Sequence, residues 1–115
     1  MDEYVMTSID RLIHISRAVK NILGYCEGKS EEAFLADSLL QSAVLYQFLI
    51  IGEAIRFVDA DMLRKYSYPW HLPKSFRKYI AHEYFGINLR RVYATVDGIL
   101  PDFMVLVDRM IEEGS

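Results

Sequence analysis

The 115-residue sequence has a single cysteine, Cys26, so no internal disulfide can form and no Cys-rich zinc spacing exists. The three histidines, His14, His71 and His82, are widely separated, and no Glu-x-x-His pair occurs. Metal-dependent chemistry therefore has no evident ligand set. Gly24 and Gly28 do not lead into a Lys-Ser or Lys-Thr helix start in the register a phosphate loop requires. Strand-like alternation, internal repeats and low-complexity tracts are lacking too. Proline and glycine are scarce, at 3 and 6, while 52% of residues are hydrophobic. That balance excludes a disordered tail and predicts one helix-rich globular domain over residues 1–115. The longest apolar run, Leu39 to Ile55, is interrupted by Gln41, Gln47 and Glu53, which reads as a buried helix and not a clean membrane span. Met1-Asp2-Glu3-Tyr4 is acidic where an export signal would be basic, so the expected location is cytoplasmic. A lone thiol fits a reducing compartment, and Cys26 is expected to be a small packing or surface residue.

What the sequence does contain is helical periodicity. A first helix is expected from about Asp2 to Tyr25, with Val5, Ile9, Leu12, Val19 and Leu23 on one stripe and Ile13, Ile15 and Ile22 off it. Ser30 is a candidate cap for a second helix spanning Glu31 to Phe57, with Glu31 and Glu32 suiting its positive end. Asp59 opens a short segment through Tyr66. Tyr68-Pro69-Trp70-His71-Leu72-Pro73 interrupts regular structure. Helix resumes near Pro73 and is expected to stop around Phe85, with Gly86 taking a left-handed conformation. Asn88 caps a last helix from Leu89 to about Glu112, kinked near Pro101. The predicted architecture is all-α: an up-and-down bundle of four long helices with one short insert.

Charge is unevenly spread. The net charge is -3, yet the window from Arg64 to Arg91 holds Arg64, Lys65, Lys74, Arg77, Lys78, Arg90 and Arg91 against the single acid Glu83. That window attracts anions even on an acidic protein. Inside it lies Arg77-Lys78-Tyr79-Ile80-Ala81-His82-Glu83-Tyr84, which sets a permanent cation and a titratable acid/base five positions apart. Arg forks onto phosphate oxygens, and His gains or loses a proton near neutral pH, a pairing suited to phosphodiester chemistry. On one straight helix the two side chains diverge by about 140°, so a site built from two copies across a two-fold axis is the simpler arrangement. The plain alternative is an Arg paired with a carboxylate and a His at a helix end. Glu53 is a candidate partner for Arg77, with a local bond to Arg56 or a surface position equally open.

Four segments together resemble the HepT-like branch of the HEPN (higher eukaryotes and prokaryotes nucleotide-binding) superfamily. They are Ile51-Gly52-Glu53-Ala54, Tyr68-Pro69-Trp70, Arg77-x4-His82-x-Tyr84-Phe85-Gly86-Ile87, and Val96 to Leu100-Pro101. The resemblance implies a homodimeric ribonuclease that needs no metal or other cofactor, the toxin of a pair whose antitoxin is a minimal nucleotidyltransferase. It implies catalytic roles for Arg77 and His82, and Tyr84 as the phenol that receives AMP. Lys74, Lys78, Arg90 and Arg91 are the candidate RNA phosphate ligands, and Glu53 is a supporting residue. Lys78 departs from the family's usual Asn and Asn88 from a frequent Asp. The alternative is a non-catalytic helical module that binds a nucleotide or a nucleotidyltransferase through the same basic groove.

Overall fold

Thr7 and Asp10 start the fold. The Asp10 N–H donates to the Thr7 hydroxyl at 3.1 Å and the Thr7 N–H donates to the Asp10 carboxylate at 2.9 Å. This reciprocal cap satisfies two orphan donors and sets the first residue of α1, Ser8–Cys26. The computed structural model describes residues 5–114. The expected helical start at Asp2 lies outside them, and Val5 to Thr7 are not helical. The buried face of α1 carries Leu12, Ile15, Ser16, Val19, Ile22 and Cys26. Ile15 and Ile22 therefore belong to the main stripe, at three- and four-residue steps from Leu12 and Val19, and Val5 is exposed.

The expected second helix is two helices. Glu31–Leu35 (α2) ends because the Asp37 carboxylate caps a new start, accepting the Leu40 N–H at 3.0 Å. The Gln41 side-chain amide then donates to the Phe34 and Leu35 carbonyls at 2.9 and 3.1 Å, satisfying the end of α2. Ser38–Ile55 (α3) follows. Among the described residues α3 is the helix long and apolar enough to cross a membrane, and half of it is buried inside the fold. Asp59 caps α4, Ala60–Arg64.

The next helix, α5, starts at His71 and not at Pro73, so Pro73 occupies its first turn, where a missing N–H costs nothing. It stops at His82, three residues sooner than expected. A single 3-10 turn, Tyr84–Gly86, follows, closed by the Gly86 N–H on the Glu83 carbonyl at 2.8 Å. Gly86 has no positive φ; that conformation occurs at Gly28 (72°), after α1. The last helix breaks at Ile99 into α6, Leu89–Gly98, and α7, Leu100–Gly114. Pro101, expected to kink one helix, stands in the first turn of α7, so its lost hydrogen bond is the one a helix start does without.

Packing places these elements in a row, with α1 between α3 and α7, and α3 between α1 and α5. The core runs along α1, where Leu12, Ile15, Val19 and Ile22 are fully buried in one cluster with Val44, Ile55 and Val107. One polar tie crosses it: the buried Ser16 hydroxyl donates to Asp108 at 2.6 Å. Because α5 packs chiefly on α3, the helix that bears the Arg-x4-His sequence forms an edge of the row.

Candidate functional site

Gly52 determines how α5 sits. A Cβ built on Gly52 would lie 2.9 Å from Arg77 Cγ, closer still to Arg77 Cβ, and 3.0 Å from the Pro73 carbonyl. Only glycine allows this approach, and it places the Arg77 stem directly on the backbone of α3. One residue further along α3, Glu53 reaches the Arg77 guanidinium at 3.2 Å. Glu53 also accepts from Arg56 through both oxygens, at 3.2 and 3.1 Å. Both partners considered for Glu53 are thus engaged at once, and the carboxylate lies between two cations. Arg77 remains 31% exposed, with its stem packed and its head at the surface.

His82 is the last residue of α5 and is exposed. Among the described residues no hydrogen bond or ion pair links it to Arg77, which agrees with their angular offset. Tyr84 follows in the 3-10 turn at 49% exposure, its ring edge-on to Phe85, which is fully exposed. This turn is anchored from α5. The Asn88 N–H donates to the Tyr79 hydroxyl at 2.8 Å, while the Asn88 side chain caps α6 by accepting the Arg91 N–H at 3.2 Å. Asn88 thus closes the loop as a helix cap.

The basic window does not form one surface. Arg64 pairs with Asp61, and Arg90 turns to α2, where it pairs with Glu31. Arg91 turns the other way, its guanidinium 4.8 Å over the Tyr79 ring and 5.6 Å from the Phe76 ring. Lys74 and Lys78 lie on α5 without an ion pair among the described residues. No group of three His, Cys, Asp or Glu among the described residues is placed to hold a metal ion.

Sequence reasoning missed a cleft beside this site. Between α5 on one side and α6 and α7 on the other lies an opening of about 380 Å³, lined by Phe48, Tyr68, Leu72, Phe76, Ile99 and Phe103, with Arg91 at its mouth. Phe48 and Phe76 meet edge to face at 4.9 Å, and Tyr68 is 5.3 Å from Phe103. Leu72 and Phe76, one turn apart on α5 and both in its lining, are the signal that could have indicated it.

An all-helical HEPN-like fold with an Arg-x4-His pair on an edge helix and an exposed tyrosine just past it defines the class. The chain belongs to the HepT-like ribonuclease family, whose model, described as "Ribonuclease HepT-like", matches residues 15–110. It is similar to "Probable ribonuclease HepT" of Thermococcus cleftensis, 32% identical over 80% of this chain and 84% of that one. It is also similar to "Putative RNase MJ0127" of Methanocaldococcus jannaschii, 28% identical over 89% of this chain and 85% of that one. A third relative from the same organism, "Gamma-glutamylcyclotransferase and putative RNase MJ0434", is 30% identical over 89% of this chain, which spans 46% of that longer protein. No solved structure matches the chain.

Proposed function

We propose that this protein is a metal-independent endoribonuclease, acting in the cytoplasm as a homodimer, and that it is the toxin partner of a minimal nucleotidyltransferase. The observation that supports the reading is that one edge helix and the turn after it carry Arg77, with its head at the surface, the exposed His82 and the half-exposed Tyr84, in a chain of the HepT-like family. Cleavage requires that a base take the proton of the ribose 2′-hydroxyl as its oxygen attacks phosphorus, and that an acid protonate the departing 5′-oxygen. The products are a 2′,3′-cyclic phosphate and a free 5′-hydroxyl. Two His82 side chains, one from each copy, can serve as base and acid, and two Arg77 guanidinium groups can neutralise the crowded phosphorane. Divergence of Arg77 and His82 within one copy favours this shared site.

Regulation follows from Tyr84. Its phenol oxygen attacks the α-phosphorus of ATP on the nucleotidyltransferase, the phenolic proton is lost, and pyrophosphate leaves. The attached AMP brings an anionic phosphate beside Arg77 and His82, where it opposes RNA binding by both charge and bulk. Incubation with RNA in the presence of a chelator tests the nuclease. Fragments with cyclic phosphate ends are expected from the wild-type chain and none from His82→Ala. Equal cleavage by both proteins, or none by either, overturns the reading.

A further inference from the structure

We propose that the aromatic cleft between α5 and α6–α7 is a nucleotide subsite: a nucleobase enters between Phe76 and Tyr68, over the buried Phe103, and its phosphate meets Arg91 at the mouth. The inference rests on the RNA reading above only for where the nucleotide comes from. Its volume of about 380 Å³ falls within the roughly 300–1,000 Å³ of small-ligand sites, which are apolar with a few convergent polar groups.

Three observations select a nucleotide over a purely apolar occupant. Tyr68 lines the cleft, and its hydroxyl makes no hydrogen bond among the described residues. Ser75 and Thr95 line it too; the Thr95 hydroxyl donates to the Arg91 carbonyl at 2.9 Å, and that of Ser75 has no hydrogen bond among the described residues. Arg91 has no carboxylate partner among the described residues, since its guanidinium rests on Tyr79 and Phe76. An aliphatic plug would bury these groups without partners, which is unfavourable. A base edge supplies donors and acceptors to the hydroxyls, its face stacks on the rings, and the phosphate neutralises the guanidinium.

Phe76 precedes Arg77 on α5 and points to the cleft while Arg77 points to α3.

The protein carries its own reporter. Trp70, the only tryptophan, lies 4.8 Å from Tyr68 and 6.2 Å from Phe103. Titration with 5′-AMP, 5′-UMP and a short 2′-deoxy oligonucleotide, none of which can be cleaved, is expected to change Trp70 fluorescence saturably. Ala94→Leu, which fills the cleft from the exposed face of α6, is expected to abolish the change. Arg91→Ala should weaken binding about tenfold, as loss of one charged phosphate contact does. Tighter binding of the oligonucleotide than of the mononucleotides assigns the subsite to a nucleic acid strand, and equal binding assigns it to free nucleotide. The inference is overturned if no probe gives a saturable change, if Ala94→Leu binds as the wild type does, or if Ala94→Leu instead shifts the oligomeric state in sedimentation, which would mean a second copy covers the cleft. Because none of these readouts needs cleavage, a protein that binds nucleotide but cuts no RNA would refute the nuclease alone.

Discussion

Gly52 and Arg77 are in contact across two helices, with no room for a Cβ on Gly52 before it meets the Arg77 stem. The glycine and the cation form one structural unit, although they are far apart in sequence. Gly52→Ala should therefore do two things. It forces α5 away from α3, with an expected loss of about 1–3 kcal/mol from overpacking, and it shifts Arg77. Thermal melting measures the first and RNA cleavage the second. A variant that melts as the wild type and cleaves at full rate would show that the close approach is not needed.

Glu53 holds the Arg77 head as Gly52 holds its stem. Both groups of this pair are substantially exposed, so its loss should change global stability by under about 1 kcal/mol. Its effect on catalysis is expected to be larger, because a guanidinium displaced by about 1 Å costs up to about 100-fold in rate. Glu53→Gln should thus fold normally and cleave RNA about 10- to 100-fold more slowly. Arg56→Ala, which frees Glu53 to serve Arg77 alone, should leave cleavage near wild type. Equal losses in both variants would point to general electrostatics of the patch and not to positioning of Arg77.

The helical class and the Arg-x4-His-x-Tyr element were legible in the sequence because periodicity and local spacing carry them. The breaks at Asp37 and Ile99 were not. Each depends on a cap or a proline that terminates a strongly apolar pattern without interrupting it, so hydrophobic spacing ran through both. Ile15 and Ile22 lie on the buried stripe because its phase is set from Leu12 onward and not by the exposed Val5. Glu53 and Arg77 could be suspected as a pair, but the reason for Gly52 is a contact between residues 25 positions apart, invisible to local pattern. Likewise the sum of charge between Arg64 and Arg91 said nothing of direction: Arg90 and Arg91 are adjacent in sequence and turn to different helices.

Tyr79 and Tyr84 separate by what their hydroxyls do. Tyr79 accepts the Asn88 N–H and anchors the loop, whereas Tyr84 is half exposed in the 3-10 turn. Tyr79→Phe should cost about 1 kcal/mol through the lost hydrogen bond and leave AMP transfer intact. Tyr84→Phe should keep stability and lose the modification. Intact mass after incubation with the cognate nucleotidyltransferase, ATP and Mg²⁺ reads both. Persistent labelling of Tyr84→Phe would move the modified group elsewhere.

Stability should depend on pH through the tie between α1 and α7. The Ser16 hydroxyl, aided by Lys20, holds the Asp108 carboxyl below its ordinary value of 3.8. A depressed carboxyl contributes stability that is fully present above the ordinary value and is lost as pH falls through the lower, folded value. The tie therefore acts at neutral pH and weakens in acid below 3.8. Ser16→Ala removes the largest cause of the shift and should destabilise the fold by about 1 kcal/mol at pH 7, a charge-assisted bond discounted for the exposure of Asp108. The gap between the two proteins should narrow below the ordinary value, because protonation turns the charge-assisted bond into a weaker neutral one in the wild type. Urea midpoints at neutral and acid pH measure it, and a gap of the same size at both would show that the carboxylate charge is not what strengthens the bond.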